Sequence, residues 1–159
     1  MDDVDRDLLA LLQTDATRTY ADLGREIGLS AGAAHERVRK LRAAGVIRRT
    51  TVDVDPAAVD LDVLAFVTVD SVAWIGDSGP AFAAITEIQE AHIVAGTASV
   101  LLKVRTTSTG ALQDVLRRIH AIAGVSSTQA TIALDTLFER PVPTGGGTPA
   151  RDGAEPDRR

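Results

Sequence analysis

Between Leu29 and Arg49 the chain runs LSAGAAHERVRKLRAAGVIRR, with six Lys or Arg side chains against a single acid, Glu36. The whole protein, 159 residues long, carries a formal net charge of −5. A local excess of guanidinium and ammonium groups within an acidic chain suits the holding of phosphate oxygens by charge-assisted hydrogen bonds. Catalysis has less to work with. The three histidines, His35, His92 and His120, fall in different predicted elements, and neither an HExxH pair nor a nucleophile elbow occurs. Without cysteine there is no disulfide framework and no thiolate zinc site. Asp53, Asp55, Asp60 and Asp62 cluster among turn-forming residues and read as a solvated stretch. No enzyme, catalytic residue, metal or cofactor is expected.

The charge is segregated. Residues 1–50 hold 9 Lys/Arg against 8 Asp/Glu, whereas residues 51–140 hold 5 against 11. Two domains with different partners follow, and only the first suits a polyanion. No apolar run reaches the ~18 residues of a membrane span. The opening MDDVDRDLL lacks the basic-then-apolar order of a secretory signal, so a cytoplasmic protein is expected.

The elements that must position these cations are short. Val4, Leu8, Leu11 and Leu12 fall at helical spacing and predict a first helix over 4–15. Tyr20, Leu23 and Ile27 predict a second, ended by Gly28. After a four-residue break, Ser30 stands where an N-cap belongs, and Ala34, Val38 and Leu41 form the buried stripe of a third helix closed by Gly45. This is a helix-turn-helix pattern. Stepping 100° per residue from Val38 turns Gly32, Glu36, Arg39 and Lys40 outward, with His35, Arg37 and Arg42 at the flanks. The small Ala31, Gly32 and Ala33 would let the helix sink into a major groove about 12 Å wide. Ser30, Ala31, Gly32, His35, Glu36, Arg37, Arg39, Lys40 and Arg42 are therefore the candidate DNA-contacting residues, with Arg39, Lys40 and Arg42 expected to hold phosphates together with Arg48 and Arg49. His35 fits a passive surface histidine equally well.

Residues 51–62 predict a connecting strand and turn that stops at Pro56. Beyond it, VLAFVTVDSVA (63–73) predicts a strand, Pro80 opens a helix with Phe82, Ile85 and Ile88, and HIVAG and SVLLKV are strands around a Gly96-Thr97-Ala98 hairpin. Leu112, Val115, Leu116, Ile119 and Ile122 stripe a helix ended by Gly124, and TQATIALDTLF (128–138) is the last strand. The order is β-α-β-β-α-β, the ferredoxin-like pattern. Both strand faces carry apolar residues, Leu64 and Phe66 opposite Val63, Ala65 and Val67, so a sheet covered on one side predicts pairing with a second copy. Residues 141–159, rich in Pro and Gly, predict a disordered tail.

The fold class is thus α+β: a (winged) helix-turn-helix domain (1–50), a connecting strand or hinge (51–62), a ferredoxin-like βαββαβ effector and dimerisation module (63–140) and a tail (141–159). The stretch from Asp2 to Ile47 resembles the N-terminal domain of the leucine-responsive regulator/AsnC (Lrp/AsnC) family. The resemblance lies in the Asp5-Arg6 pair opening the first helix, then ADLG, GLS and RV..L...GVI in that order. The βαββαβ unit resembles that family's regulatory module, so the match covers about residues 2–140.

The resemblance implies a transcription factor on double-stranded DNA, a homodimer or an octamer built from it, whose binding answers to a small-molecule effector, often an amino acid. It also points to the loop after the module's second strand, Gly96, Thr97, Ala98 and Ser99, as effector-binding. The family's glycine-x-x-aspartate pattern ends here in Ser99, so the carboxylate that would meet an α-amino group is missing. An effector-independent architectural DNA-binding protein, and a metabolite-binding regulator of other proteins, stay open beside the sensor.

Overall fold

The structure, a computed structural model, describes residues 1–72 and 74–145. It divides into two compact units, Met1–Val52 with the described residues from Glu139 to 145, and Asp53–Phe138.

Three helices build the first unit: α1 (Asp3–Thr14), α2 (Tyr20–Ile27) and α3 (Ala31–Ala43). Each begins at a side chain that satisfies a free backbone N–H. Asp2 and Asp5 cap α1 reciprocally, the Asp5 amide donating to Asp2 Oδ1 at 2.8 Å and the Asp2 amide to Asp5 Oδ2 at 3.1 Å. Thr19 caps α2 and Ser30 caps α3. Gly28 ends α2 at φ 72°, in the left-handed region that costs glycine nothing, so the break before α3 is the three residues Gly28–Ser30 and not four. Leu8, Leu23, Ala34 and Val38 are fully buried at the centre, with Leu11, Leu12, Tyr20, Ile27 and Ile47 packed around them.

Among the described residues of the first unit no strand follows α3, so no wing is seen there. The expected connecting strand is irregular because no described segment pairs with it, and Val52 and Val54 are exposed. A single 3-10 turn, Pro56–Val59, follows, with Asp55 Oδ1 accepting from the Ala57 amide at 3.0 Å.

The second unit is a four-stranded antiparallel sheet: β1 (Val63–Ser71), β2 (Ile88–Ile93), β3 (Val100–Thr106) and β4 (Val125–Ile132), in the order β2-β3-β1-β4. Helices α4 (Gly79–Ala83) and α5 (Thr109–His120) complete the βαββαβ order. Ala65, Val67 and Val69 of β1 and Val100, Leu102 and Val104 of β3 face Phe82, Leu112, Val115 and Ile119 in one core.

Helix α1 lies one residue earlier than expected and β1 ends at Ser71 rather than 73, and three boundaries differ more. Helix α4 stops at Ala83, and Ile88 opens β2 opposite Val104. Spacing of three at Phe82, Ile85 and Ile88 fits a helix, but the same side chains reach the core with Ile88 on a strand. The β2–β3 loop is therefore six residues, Val94–Ser99, closed by the Val94 amide on the Ser99 carbonyl at 3.1 Å. Strand β4 covers 125–132 rather than 128–138: the Ala133 amide donates to Leu64 O at 2.9 Å, and beyond it β1 offers no further partner. Leu134, Leu137 and Phe138 are exposed as a result.

The sheet's uncovered face is less apolar than the alternation implied. Phe66 is 40% exposed, and its cross-strand neighbours there are Lys103 and Thr131, while Thr68 sits between Leu101 and Gln129. Of the tail expected to be disordered, residues 146–159 lie outside the described residues. Residues 141–145 lie along α1, where Gln13 Nε2 donates to Val142 O at 3.0 Å and Arg6 Nη1 to Thr144 O at 2.9 Å.

Candidate nucleic-acid interface and effector loop

Helix α3 is set by the turn before it. The Leu29 amide donates to Gly24 O at 2.7 Å, and a Cβ on Gly24 would lie 2.5 Å from the Leu29 carbonyl oxygen. Only a residue without a side chain allows α2 and the turn to approach this closely. Ser30 Oγ accepts from the Ala33 amide at 3.2 Å, and Ala34, Val38 and Leu41 anchor the inner face.

The cations then divide into three kinds. Arg37 turns back to α1, where its Nη1 lies 2.8 Å from Asp2 Oδ2 and 2.8 Å from Asp5 Oδ1. These carboxylates raise the Arg37 pKa, and the Asp5 amide followed by Arg37 lowers that of Asp2. Arg37, expected at the DNA, thus locks α3 to the capped end of α1. Arg39 and Lys40 project outward with Glu36. Arg39 Nε and Nη2 each lie 2.7 Å from a different Glu36 oxygen, and Lys40 Nζ is 3.8 Å from Glu36 Oε1. The Arg39 hydrogen bonds pull the Glu36 pKa down to about 2. Arg42, Arg48 and Arg49 make no ion pair among the described residues; with Leu12, Gln13 and Ile47 they line an open cavity of about 320 Å3 beside α1.

The remaining candidates have simpler surroundings. His35 sets its ring edge-on to Tyr20, centroids 4.6 Å apart at 64°. Ala31 and Gly32 are exposed and bring no hydrogen-bonding side chain. Asp2, Asp5 and Gly24 are functional supports that pattern reasoning missed. The Asp2/Asp5 spacing of three, which suits a reciprocal cap, was the available signal.

In the second unit, Gly96, Thr97, Ala98 and Ser99 form the end of the β2–β3 loop. The Ser99 amide donates to Val69 O at 2.9 Å, and its hydroxyl oxygen accepts from the Ser71 amide at 3.3 Å. Ser71 Oγ in turn donates to Gly124 O at 2.8 Å, and Ser127 Oγ to Asp70 Oδ2 at 2.6 Å. Neutral hydroxyls of Ser99 and Ser71 thus close this end of the sheet beside an Asp70 carboxylate engaged by Ser127, and Ser99 itself supplies no charge to a ligand.

Comparison with known families fits both units. Residues 1–42 match the AsnC-type helix-turn-helix domain, and residues 62–143 match the Lrp/AsnC ligand binding domain. The chain belongs to the Lrp/AsnC family. It is 35% identical over 140 residues to the HTH-type transcriptional regulator LrpA of Mycobacterium tuberculosis, covering 87% of this chain and 93% of that one. It is 32% identical over 145 residues to the regulatory protein AsnC of Escherichia coli K12, covering 89% and 95%. Among solved structures it resembles a feast or famine regulatory protein of M. tuberculosis complexed with L-methionine. That match has a TM-score of 0.81 at 35% identity and covers 87% of this chain and 95% of that one. This Lrp/AsnC protein is accordingly a DNA-binding transcriptional regulator with a ligand-binding domain, not an enzyme. None of its described helices is long and apolar enough to cross a membrane.

Proposed function

We propose that the protein acts in the cytoplasm as a homodimer, or a larger assembly of dimers, that lays α3 of each copy in a major groove of double-stranded DNA. In this reading Ser30, Ala31, Gly32 and His35 line the entry of the helix, and Glu36 and Arg39 face the bases. Lys40, Arg42, Arg48 and Arg49 hold phosphates, while Arg37 keeps the helix in place. The observation that carries it is the outward, cation-rich face of α3 on a helix-turn-helix of this family. Phe66 and Leu101 on the uncovered sheet face favour a second copy there.

The Gly96–Ser99 loop is proposed as part of an effector site for an amino acid, by analogy with the methionine-bound relative. With Ser99 neutral and bonded to Ser71, an effector must find its ammonium partner elsewhere. That feature favours the second reading, an architectural protein indifferent to effectors.

Salt-titrated binding to the protein's own upstream DNA tests the first reading. If the four phosphate-holding cations of two protomers all engage, the slope of log K against log salt approaches about −7. A slope near zero, or no preference over random duplex, overturns it. Calorimetry with a panel of amino acids separates sensor from architectural protein: saturable binding supports the sensor, and silence across the panel the alternative.

A further inference from the structure

Few side chains on α3 are free to touch a base edge. Ser30 is engaged as the cap, His35 packs against Tyr20, Arg37 is held by Asp2 and Asp5, and the first turn offers only Ala31, Gly32 and Ala33. What remains in the middle of the outward face is Glu36 with Arg39 and Lys40. A lysine is a point charge that serves phosphates, whereas a planar guanidinium discriminates.

The Glu36–Arg39 geometry is specific. The carboxylate engages Nε–H and one Nη2–H, the sideways edge of the guanidinium. Arginine has five N–H donors. Those left free include the end-on pair, one N–H on Nη1 and one on Nη2, which the Glu36 carboxylate leaves open to another partner. That pair matches guanine O6 and N7 in the major groove. An unbuttressed arginine samples many rotamers, but here the carboxylate fixes the plane and direction of the fork before DNA arrives. Glu36 also places a negative charge where a phosphate would otherwise approach, so it disfavours use of Arg39 as a backbone contact. Its pKa near 2 keeps that charge in place at any physiological pH.

We infer that Arg39 reads a guanine in each half-site and that Glu36 is the positioning residue that aims it, a conclusion that rests on α3 lying in the major groove. The identity of one base pair in the operator is thereby assigned to a residue pair.

The test is in vitro selection from a random duplex library with the full-length protein and its Arg39→Lys, Arg39→Ala and Glu36→Gln variants, each first shown to melt like the parent. The parent should enrich one guanine per half-site. Arg39→Lys keeps the charge but lacks the fork, and should bind with similar salt dependence while its preference for that guanine falls by about fivefold or more. Arg39→Ala should lose the preference and some affinity. Glu36→Gln should bind random DNA more tightly while discriminating guanine less, an opposition that a merely structural role for Glu36 would not produce. If the parent selects a site and the Arg39 variants select the same one with undiminished guanine, the inference is overturned and DNA binding stands. If the parent selects nothing and does not bind duplex, the underlying reading has failed, and the inference with it.

Discussion

Replacing Gly24 by alanine tests whether the turn before α3 is as tight as the structure describes. Two effects oppose each other. Alanine in a helix interior gains about 1 kcal/mol over glycine. Against that, the new Cβ would sit 2.5 Å from Leu29 O, 3.1 Å from Ser30 O and 3.2 Å from Leu29 C. All three are backbone atoms and cannot rotate aside. Reaching the 3.4 Å of an ordinary contact means opening the turn by about 0.9 Å. That movement breaks the 2.7 Å Leu29-to-Gly24 hydrogen bond. The lost bond costs about 1 kcal/mol net. Overpacking against a structure that yields little adds roughly 1–3 kcal/mol. The sum is a net destabilisation of about 1–3 kcal/mol.

Gly32→Ala supplies the control, because a Cβ there meets nothing within 4 Å. It should stabilise by roughly 0.5–1 kcal/mol through propensity alone. Urea unfolding of the intact protein, followed by helical circular dichroism, reads both variants on one scale. Opposite signs are expected, with Gly24→Ala also weakening DNA binding because α2 and α3 no longer hold their angle. A Gly24→Ala protein as stable as the parent would refute the close approach, and with it the explanation of why the chain carries glycine inside α2.

Two further outcomes follow from the ion pairs. Arg37→Ala should fray the first turn of α1 and lower the melting temperature, while leaving the salt slope of DNA binding unchanged. A slope reduced by about two units per dimer would instead put Arg37 on phosphates. Glu36 should titrate near pH 2 rather than at its ordinary 4.5. Because the folded value is the lower one, the pair's contribution is complete above about pH 5 and fades as pH falls toward 2. Carboxyl NMR titration checks this, and the midpoint should return toward 4.5 in Arg39→Ala. A midpoint near 4.5 in the parent would mean that the fork is not held in solution.

What was legible in the chain followed from how far the deciding interaction reaches. Gly28 and Ser30 mark helix ends through their own backbone and the next turn, so both appear in the letters. The stripe Ala34, Val38, Leu41 identifies the inner face of α3 for the same reason. Arg37 was assigned to DNA because its partners, Asp2 and Asp5, lie more than thirty residues upstream, and periodicity carries no information across that distance. The end of β4 depends on where β1 begins, and Ile85 and Ile88 satisfy a helical and a strand pattern alike until β3 supplies the register. The Ser99 loop was located by resemblance, but its hydrogen bond to Ser71 joins the loop to β1, 28 residues upstream, and could not be read from either.

The acidic chain and its basic helix are reconciled by how the cations are matched. Arg37 meets two carboxylates of α1, and Glu36 holds Arg39 and lies near Lys40, so much of the apparent excess between Leu29 and Arg49 is neutralised within the protein. A cation with a bound carboxylate gains less from a phosphate than an unmatched one, because part of the attraction is already satisfied. Affinity should therefore fall mainly to Arg42, Arg48 and Arg49, which have no such partner among the described residues, and discrimination to the paired Arg39. Phosphate contacts set register without reading sequence, and base contacts read it. A regulator that must leave its site when conditions change gains from this division: modest net charge keeps non-specific binding weak, while a pre-aimed guanidinium preserves the choice of site.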